Sequence, residues 1–357
     1  MLHYYKMKKI ALCFLITKDI RNYKIWEKWW SGHEDKFTIY SHYSKGKENK
    51  VSLPYLIDNR VPPVPTKWGD ISLVKAERQL YKEAYKHIAN KFFILLSDTC
   101  IPVRPFKYVY NRVMRSMNKG IAPYRNIGGW DEDEADDPED FSPWVGSRKC
   151  VDKMKLARLL NRDVYAMDQW KIFSRKNVKD FFAMFRNKNF MSIFTECIKV
   201  VPESLAPDEL MFINYLRYKY RGSLNKQIRE GLVTYVDFDK KAIHPLTYKT
   251  ITRKLTNEFC GVNAMFARKF FRHNRAIINK VPVTCRKGKP VRKTKQRKSR
   301  RKSRRKSRRK SRRKSRRKSR KKSRRKSRRK SRRKSRRKSR RKSRRKSRRK
   351  SRRRRKQ

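Results

Sequence analysis

Lys91-Phe92-Phe93-Ile94-Leu95-Leu96-Ser97 is a continuous apolar run of the kind formed by a strand that is covered on both faces, as the central strand of a parallel sheet is. The segment before it reads as a helix. Asp70 is placed to cap it, and Leu73, Ala76, Leu80, Ala84 and Ile88 recur on one face. Farther upstream, residues 10–16 form a second apolar run and read as the first buried strand. Residues 22–30 read as a helix with Ile25, Trp29 and Trp30 on one side, and residues 36–42 alternate as a strand. Pro62, Pro63 and Pro65 hold the next stretch extended or turned. Strands alternating with helices predict an α/β fold with a mostly parallel central sheet.

Downstream, residues 130–144 read as an acidic, proline-containing loop, followed by helical stretches at about 149–160 and 174–187. Pro207-Asp208-Glu209 opens a further helix over 210–218, since proline is tolerated in a first helical turn. Residues 232–238 look like a strand, and an irregular basic segment runs from there to Phe271.

Charge divides the chain in two. Its formal net charge is +74, but residues 286–357 carry 52 of the 104 Lys and Arg and none of the 30 Asp and Glu, which leaves +22 on residues 1–285. The first 285 residues hold nearly all the apolar side chains and form the predicted globular domain. The last 72 repeat Lys-Ser-Arg-Arg with a period of four, have no apolar residue after Val291, and are expected to be a disordered tail.

The six cysteines (13, 100, 150, 197, 260 and 285) include no Cys-x-x-Cys pair, so a zinc site is not expected. Cys13 and Cys100 lie in apolar surroundings as buried thiols, and the plain expectation is a reducing compartment with no disulfide. The 10–16 run follows Lys8 and Lys9 like a signal segment but lacks a small-residue cleavage site. It is also too short to span a membrane. A soluble protein, cytoplasmic or nuclear, is therefore expected. No glycine-rich phosphate loop and no Gly-x-Ser-x-Gly elbow occurs, which argues against an NTPase, a dehydrogenase or a serine hydrolase.

Three segments taken together resemble the core-2/I-branching enzymes, glycosyltransferase family 14. They are Ser97-Asp98-Thr99-Cys100-Ile101-Pro102, preceded by Trp68-Gly69; Pro207-Asp208-Glu209; and a closing stretch from Thr234-Tyr235-Val236-Asp237-Phe238 through His244-Pro245 to Met265-Phe266-Ala267-Arg268-Lys269-Phe270. They stand in family order and are most similar to the plant branch. The resemblance implies a GT-A-like nucleotide-binding domain. The activity it implies is metal-independent, inverting transfer of GlcNAc, xylose or glucuronic acid from a UDP-sugar to a glycan or protein hydroxyl, without a bound cofactor.

Inverting transfer needs a base for the acceptor hydroxyl proton. The resemblance gives that role to Glu209, although an acid in a first helical turn is also ordinary dipole chemistry. It gives the leaving diphosphate to Lys269, with Arg268 beside it and a second cation at Lys249 or Arg253. The nucleotide and sugar fall to Ile16, Thr17, His42, Ser44, Ser97 and Asp98, at the carboxyl ends of strands where α/β sheets bind ligands, with capping of the turn an equal alternative for Asp98. Members from animals often carry an Asp near the position of Ser44, which this chain lacks. Trp68, Gln169 and Trp170 are the acceptor-side candidates, with core packing the alternative for Trp170. Asp131-Glu132-Asp133 and Asp237-Phe238-Asp239 have metal-ligand spacing, but the first lies in a run of eight carboxylates, which reads as a solvated surface. Mn²⁺ dependence is therefore not expected. Family members in eukaryotes usually carry a Golgi membrane anchor, which is not seen here.

The tail is a polycation without interleaved aromatics. It is suited to polyanions through counterion release, with nucleic acid ranked first and membrane surfaces and import factors behind. Its 14 serines, every fourth residue from Ser299 to Ser351, suit basic-directed kinases. Full phosphorylation would add roughly −21 to −28. The alternative to an active enzyme is a transferase relic that works as a polyanion binder through this tail.

Overall fold

The two apolar runs pair side by side in the computed structural model. Strand β1 (Lys9–Ile16) lies between β2 (Phe37–Tyr43) and β3 (Asn90–Ser97) and is parallel to both. The structure describes residues 7–46, 50–127, 164–200, 206–221, 223–238, 245–270, 277, 279–283 and 285, without the side chains of 196–200. All of these belong to one compact unit, Met1–Arg286. Beyond β3 the sheet continues through β8 (Ile172–Ser174), β5 (Gly120–Ala122) and β9 (Ile228–Glu230). β5 and β9 are parallel, whereas β8 runs antiparallel to both of its neighbours. Gly120 sits where β5 abuts β8: a Cβ there would lie 2.8 Å from the Ile172 carbonyl oxygen.

Helices cover both faces. On one, α1 (Tyr23–Trp30) buries Trp26, Trp29 and Trp30, and α4 (Phe106–Met114) buries Phe106, Val109 and Val113. The indoles of Trp26 and Trp29 donate to the carbonyls of Cys100 (3.1 Å) and Arg104 (2.6 Å), so the tryptophans are satisfied core residues. On the other face lie α3 (Ile71–Lys86), α5 (Arg175–Arg186), α6 (Lys188–Val200) and α7 (Pro207–Lys219), packed around Phe173, Phe181 and Phe212. The short α2 (Pro54–Asp58) follows β2. Asp70 caps α3 as expected, accepting from the Ser72 amide at 2.7 Å. The helix stops at Lys86, however, so Ile88 is 59% exposed instead of joining the apolar face.

A second sheet, β10-β11-β4, pairs β10 (Thr234–Val236), β11 (Phe266–Arg268) and β4 (Ile101–Pro102). A two-stranded ribbon joins β6 (Tyr124–Asn126) to β7 (Tyr165–Met167). The segment before Phe271, read as irregular, contains both β11 and α8 (Arg253–Gly261). Each escaped notice for lack of pattern: α8 buries only Leu255 and Phe259, and β11 has three residues. The helix expected at 149–160, the acidic loop and residues 286–357 lie outside the described residues. No helix among the described residues is long and apolar enough to cross a membrane.

Cys13 and Cys100 are buried free thiols, but the disulfide-free expectation fails at Cys260–Cys285, which are bridged across 25 residues. Inspection for close Cys pairs could not reveal a bridge of that span. A bridge belongs to oxidising surroundings, which removes the ground for expecting a reducing compartment. Cys260→Ser is expected to cost about 3 kcal/mol of stability through the opened loop, measurable as a lower denaturation midpoint that matches that of the reduced wild type.

Candidate active site

The carboxyl ends of β1 and β3 meet at Asp98. Its Oδ2 accepts from the hydroxyl (2.6 Å) and the amide (3.2 Å) of Thr17, and its own amide donates to the Leu15 carbonyl at 3.2 Å. Just beyond it, the Ser97-Asp98-Thr99-Cys100 turn is knitted internally. The Ser97 hydroxyl lies 3.0 Å from the Thr99 hydroxyl and 3.3 Å from the Cys100 sulfur. Asp98 therefore ties the two strand ends together, and Ser97 shapes the turn that presents it.

The second sheet delivers the cations to this edge. β11 pairs antiparallel with β4, setting Ala267 opposite Ile101. The Phe270 amide donates to the Thr99 carbonyl at 3.0 Å, and the Phe270 carbonyl accepts from the Asn22 side-chain amide at 3.1 Å. Arg268 and Lys269 are thereby held beside the β3 turn. Arg268 stacks its guanidinium 4.4 Å from the Trp170 ring centroid. Its Nε is buried without a hydrogen-bond partner. Burial disfavours its charge, opposed by Cys100, Asp98 and Glu209. Burial also lowers Lys269, with Arg268 and Arg21 repelling it and Asp98 opposing. Arg21, just after β1, is thus a second cation facing Lys269. Sequence reading missed it because a lone Arg in a loop carries no motif.

Glu209 opens α7, and its amide donates to the Ala206 carbonyl at 2.9 Å. Its carboxyl is held well above the ordinary glutamate range, first by burial and then by Asp208 and Asp168, while Lys171 and Arg125 oppose. Burial likewise pushes Asp168 up to about 6. The structure brings Glu209 within electrostatic reach of Arg268, with Trp170 packed beneath the guanidinium. The result is a carboxyl that gains a proton readily, within reach of a half-buried cation. Lys171 and Asp168, either side of Gln169-Trp170, are site residues that periodicity did not reveal. A Lys beside an apolar strand was the available signal.

The remaining candidates are placed differently. Trp170 is 6% exposed, so it supports Arg268 and offers no open face to a sugar. Gln169 is half-buried beside it and Trp68 is 65% exposed. Ile16 is buried. His42 and Ser44 secure the proline segment: His42 Nε2 accepts from the Val64 amide and Ser44 Oγ from the Thr66 amide, both at 3.0 Å. Lys249 and Arg253 are exposed, Arg253 in the first turn of α8. Asp131, Asp133, Asp239 and His244 lie outside the described residues. Among the described residues no three His, Cys, Asp or Glu side chains converge as metal ligands.

Burial lowers His42 from 6.5 to about 4. The neutral ring that accepts from Val64 therefore contributes stability that is present above pH 6.5 and lost as the pH falls towards 4, because the unfolded chain takes up the proton first. The contribution is about 3 kcal/mol at most. His42→Asn is expected to flatten the fall in denaturation free energy between pH 6.5 and 4, measured beside the wild type.

Comparison with known proteins identifies the family. The family model described as Core-2/I-Branching enzyme matches residues 10–262. The curated glycosyltransferase BC10 of Oryza sativa subsp. japonica is 26% identical over 118 residues, which is 32% of this chain and 30% of the rice protein. The match thus spans under a third of that relative. Among solved structures, a 4-diphosphocytidyl-2C-methyl-D-erythritol synthase from Anaerococcus prevotii DSM 20548 aligns at 12% identity. That alignment covers 55% of this chain and 83% of the synthase with a TM-score of 0.26, too low to carry an argument.

Proposed function

The chain belongs to the core-2/I-branching enzyme family, and from that premise we propose that it transfers a sugar from a UDP-sugar to a hydroxyl of a glycan or protein acceptor, with inversion at the anomeric carbon. GlcNAc is the favoured donor sugar, with xylose and glucuronic acid behind it. In the proposed step the acceptor oxygen attacks C1 and the bond from C1 to the diphosphate oxygen breaks. The acceptor proton passes to the Glu209 carboxylate. The charge gained by the departing UDP falls to Lys269, Arg268 and Arg21.

The observation that carries this reading is that Glu209 lies within electrostatic reach of Arg268, which is held beside the turn that follows β3. Arg268 and Lys269 are disfavoured as cations by burial, and Lys269 also by Arg268 and Arg21. A diphosphate is an anion suited to such a cluster of cations, and fixed charges aimed at a developing anion are a large catalytic term. On this reading the side chains do the work that a bound metal does in other nucleotide-sugar transferases.

UDP release from a panel of UDP-sugars, run in EDTA and again in Mn²⁺, tests the proposal. Release in EDTA supports it and names the donor. Release only with Mn²⁺ would transfer the diphosphate to a metal held elsewhere. No release and no donor binding would favour the relic reading. For the tail we propose polyanion binding, nucleic acid first, supported by 52 basic and no acidic residues over 286–357. A steep fall in affinity with salt is the signature that tests it.

A further inference from the structure

Behind Glu209 the sequence places a lysine where the sheet calls for an apolar residue. Lys171 immediately precedes β8 and alternates with Phe173, whose ring packs against Tyr81, Phe181 and Phe212. Its side chain enters the same layer, with Nζ 5.7 Å from the Phe173 ring centroid, and is wholly buried. The counter-charge is Glu77, equally buried on the inner face of α3. Nζ lies 3.1 Å from each carboxylate oxygen and donates to Oε1. A third contact leaves the pair: Nζ also donates to the Asp208 carbonyl at 3.0 Å.

Stability alone does not account for this arrangement. An apolar pair of similar volume usually serves a core as well as a buried ion pair or better. The Asp208 carbonyl, however, shares one rigid peptide plane with the Glu209 amide. That plane is held on its oxygen edge by Lys171 and on its nitrogen edge by the Ala206 carbonyl. The orientation in which Glu209 leaves the helix is thereby set from the core.

We propose that Lys171, anchored by Glu77, is a positioning residue for Glu209, pinning the Asp208–Glu209 peptide and supplying a fixed buried positive charge to the carboxylate. The proposal rests on the reading of Glu209 as the base. Asp208 and Asp168 push Glu209 towards its protonated form, while Lys171, Arg125 and Arg268 favour the ionised one. Of these cations Arg125 is exposed and Arg268 half-buried, so Lys171 is the least screened by solvent. Glu77 is itself pushed up to about 7 by burial, opposed by Lys171, and Asp208 adds to the push. Tyr81 and Cys13 are the other titratable groups it acts on.

The test uses the full chain with ¹³C-carboxyl-labelled glutamate, the Glu209 resonance being identified by its loss in Glu209→Gln. In Lys171→Met the Glu209 titration is expected to move to higher pH. The acid limb of the kcat profile should move with it. At neutral pH kcat should fall by on the order of tenfold, with KM for the donor within about twofold. The double variant Lys171→Met/Glu77→Met removes both members of the buried ion pair, so Glu77 is not left as a buried carboxylate without its lysine. It should show the same displacement if Lys171→Met alone folds poorly. An unmoved Glu209 titration in a folded variant overturns the proposal, whatever happens to the melting temperature. A wild type with no transferase activity would instead overturn the reading of Glu209 as base, and the carboxyl titration would still decide whether Lys171 controls it.

Discussion

Glu209→Gln is expected to lower kcat by about 10²–10⁴-fold while leaving the protein as stable as the wild type or more so. The rate loss follows from the role: an amide keeps the shape of the side chain but cannot take the acceptor proton, and a positioned base contributes on that scale. The stability effect follows from the surroundings. Burial, Asp208 and Asp168 all oppose a charge at Glu209, so a neutral isostere relieves a cost that the folded chain otherwise carries. Gains of that kind on removing a strained functional group are typically about 1 kcal/mol. A residue needed only as a first-turn acid of α7 would behave in the opposite way, losing its favourable interaction with the helix dipole when neutralised. Chemical denaturation beside initial rates separates the two roles.

Lys269→Met is the second large effect, an expected loss of about 10²–10³-fold in kcat, the scale of removing one fixed donor from a developing anion. Lys269 is disfavoured as a cation by its burial and by Arg268 and Arg21, and Asp98 is its counterweight. Asp98 is already engaged by Thr17 through both hydroxyl and amide. Positive charge gathered around Lys269 favours a bound anion, and one cation fewer weakens the hold on the leaving group more than on the neutral parts of a substrate. Weaker UDP binding by calorimetry, together with a shallower salt dependence than in the wild type, is the accompanying result.

Much of this was legible in the sequence because the decisive elements are long. The runs at 10–16 and 91–97 have too many consecutive apolar residues for anything but covered strands, and they pair in parallel as expected. Asp70 announced α3 by its capping chemistry. The resemblance placed Glu209, Arg268 and Lys269 in one site; in the fold Arg268 and Lys269 lie at the end of β11, and Glu209 is within electrostatic reach of Arg268. Elements of three residues, such as β8 and β11, offer no period to read, and α8 hides behind two buried side chains. Arg21 and Lys171 were missed for a different reason. Their importance lies in what they face, and only the crossing of β1, β8 and α7 defines that. His42 and Ser44 show the converse, polar residues at a strand end that turn out to hold the chain's own proline segment.

The most direct test of the account is the single-turnover rate of sugar transfer by wild type and Glu209→Gln at saturating donor, in EDTA, with donor affinity measured on both. The chemical step is expected to be slowed by at least about a hundredfold in the variant with donor binding unchanged. Equal rates in the two proteins would contradict it and remove Glu209 from the chemistry.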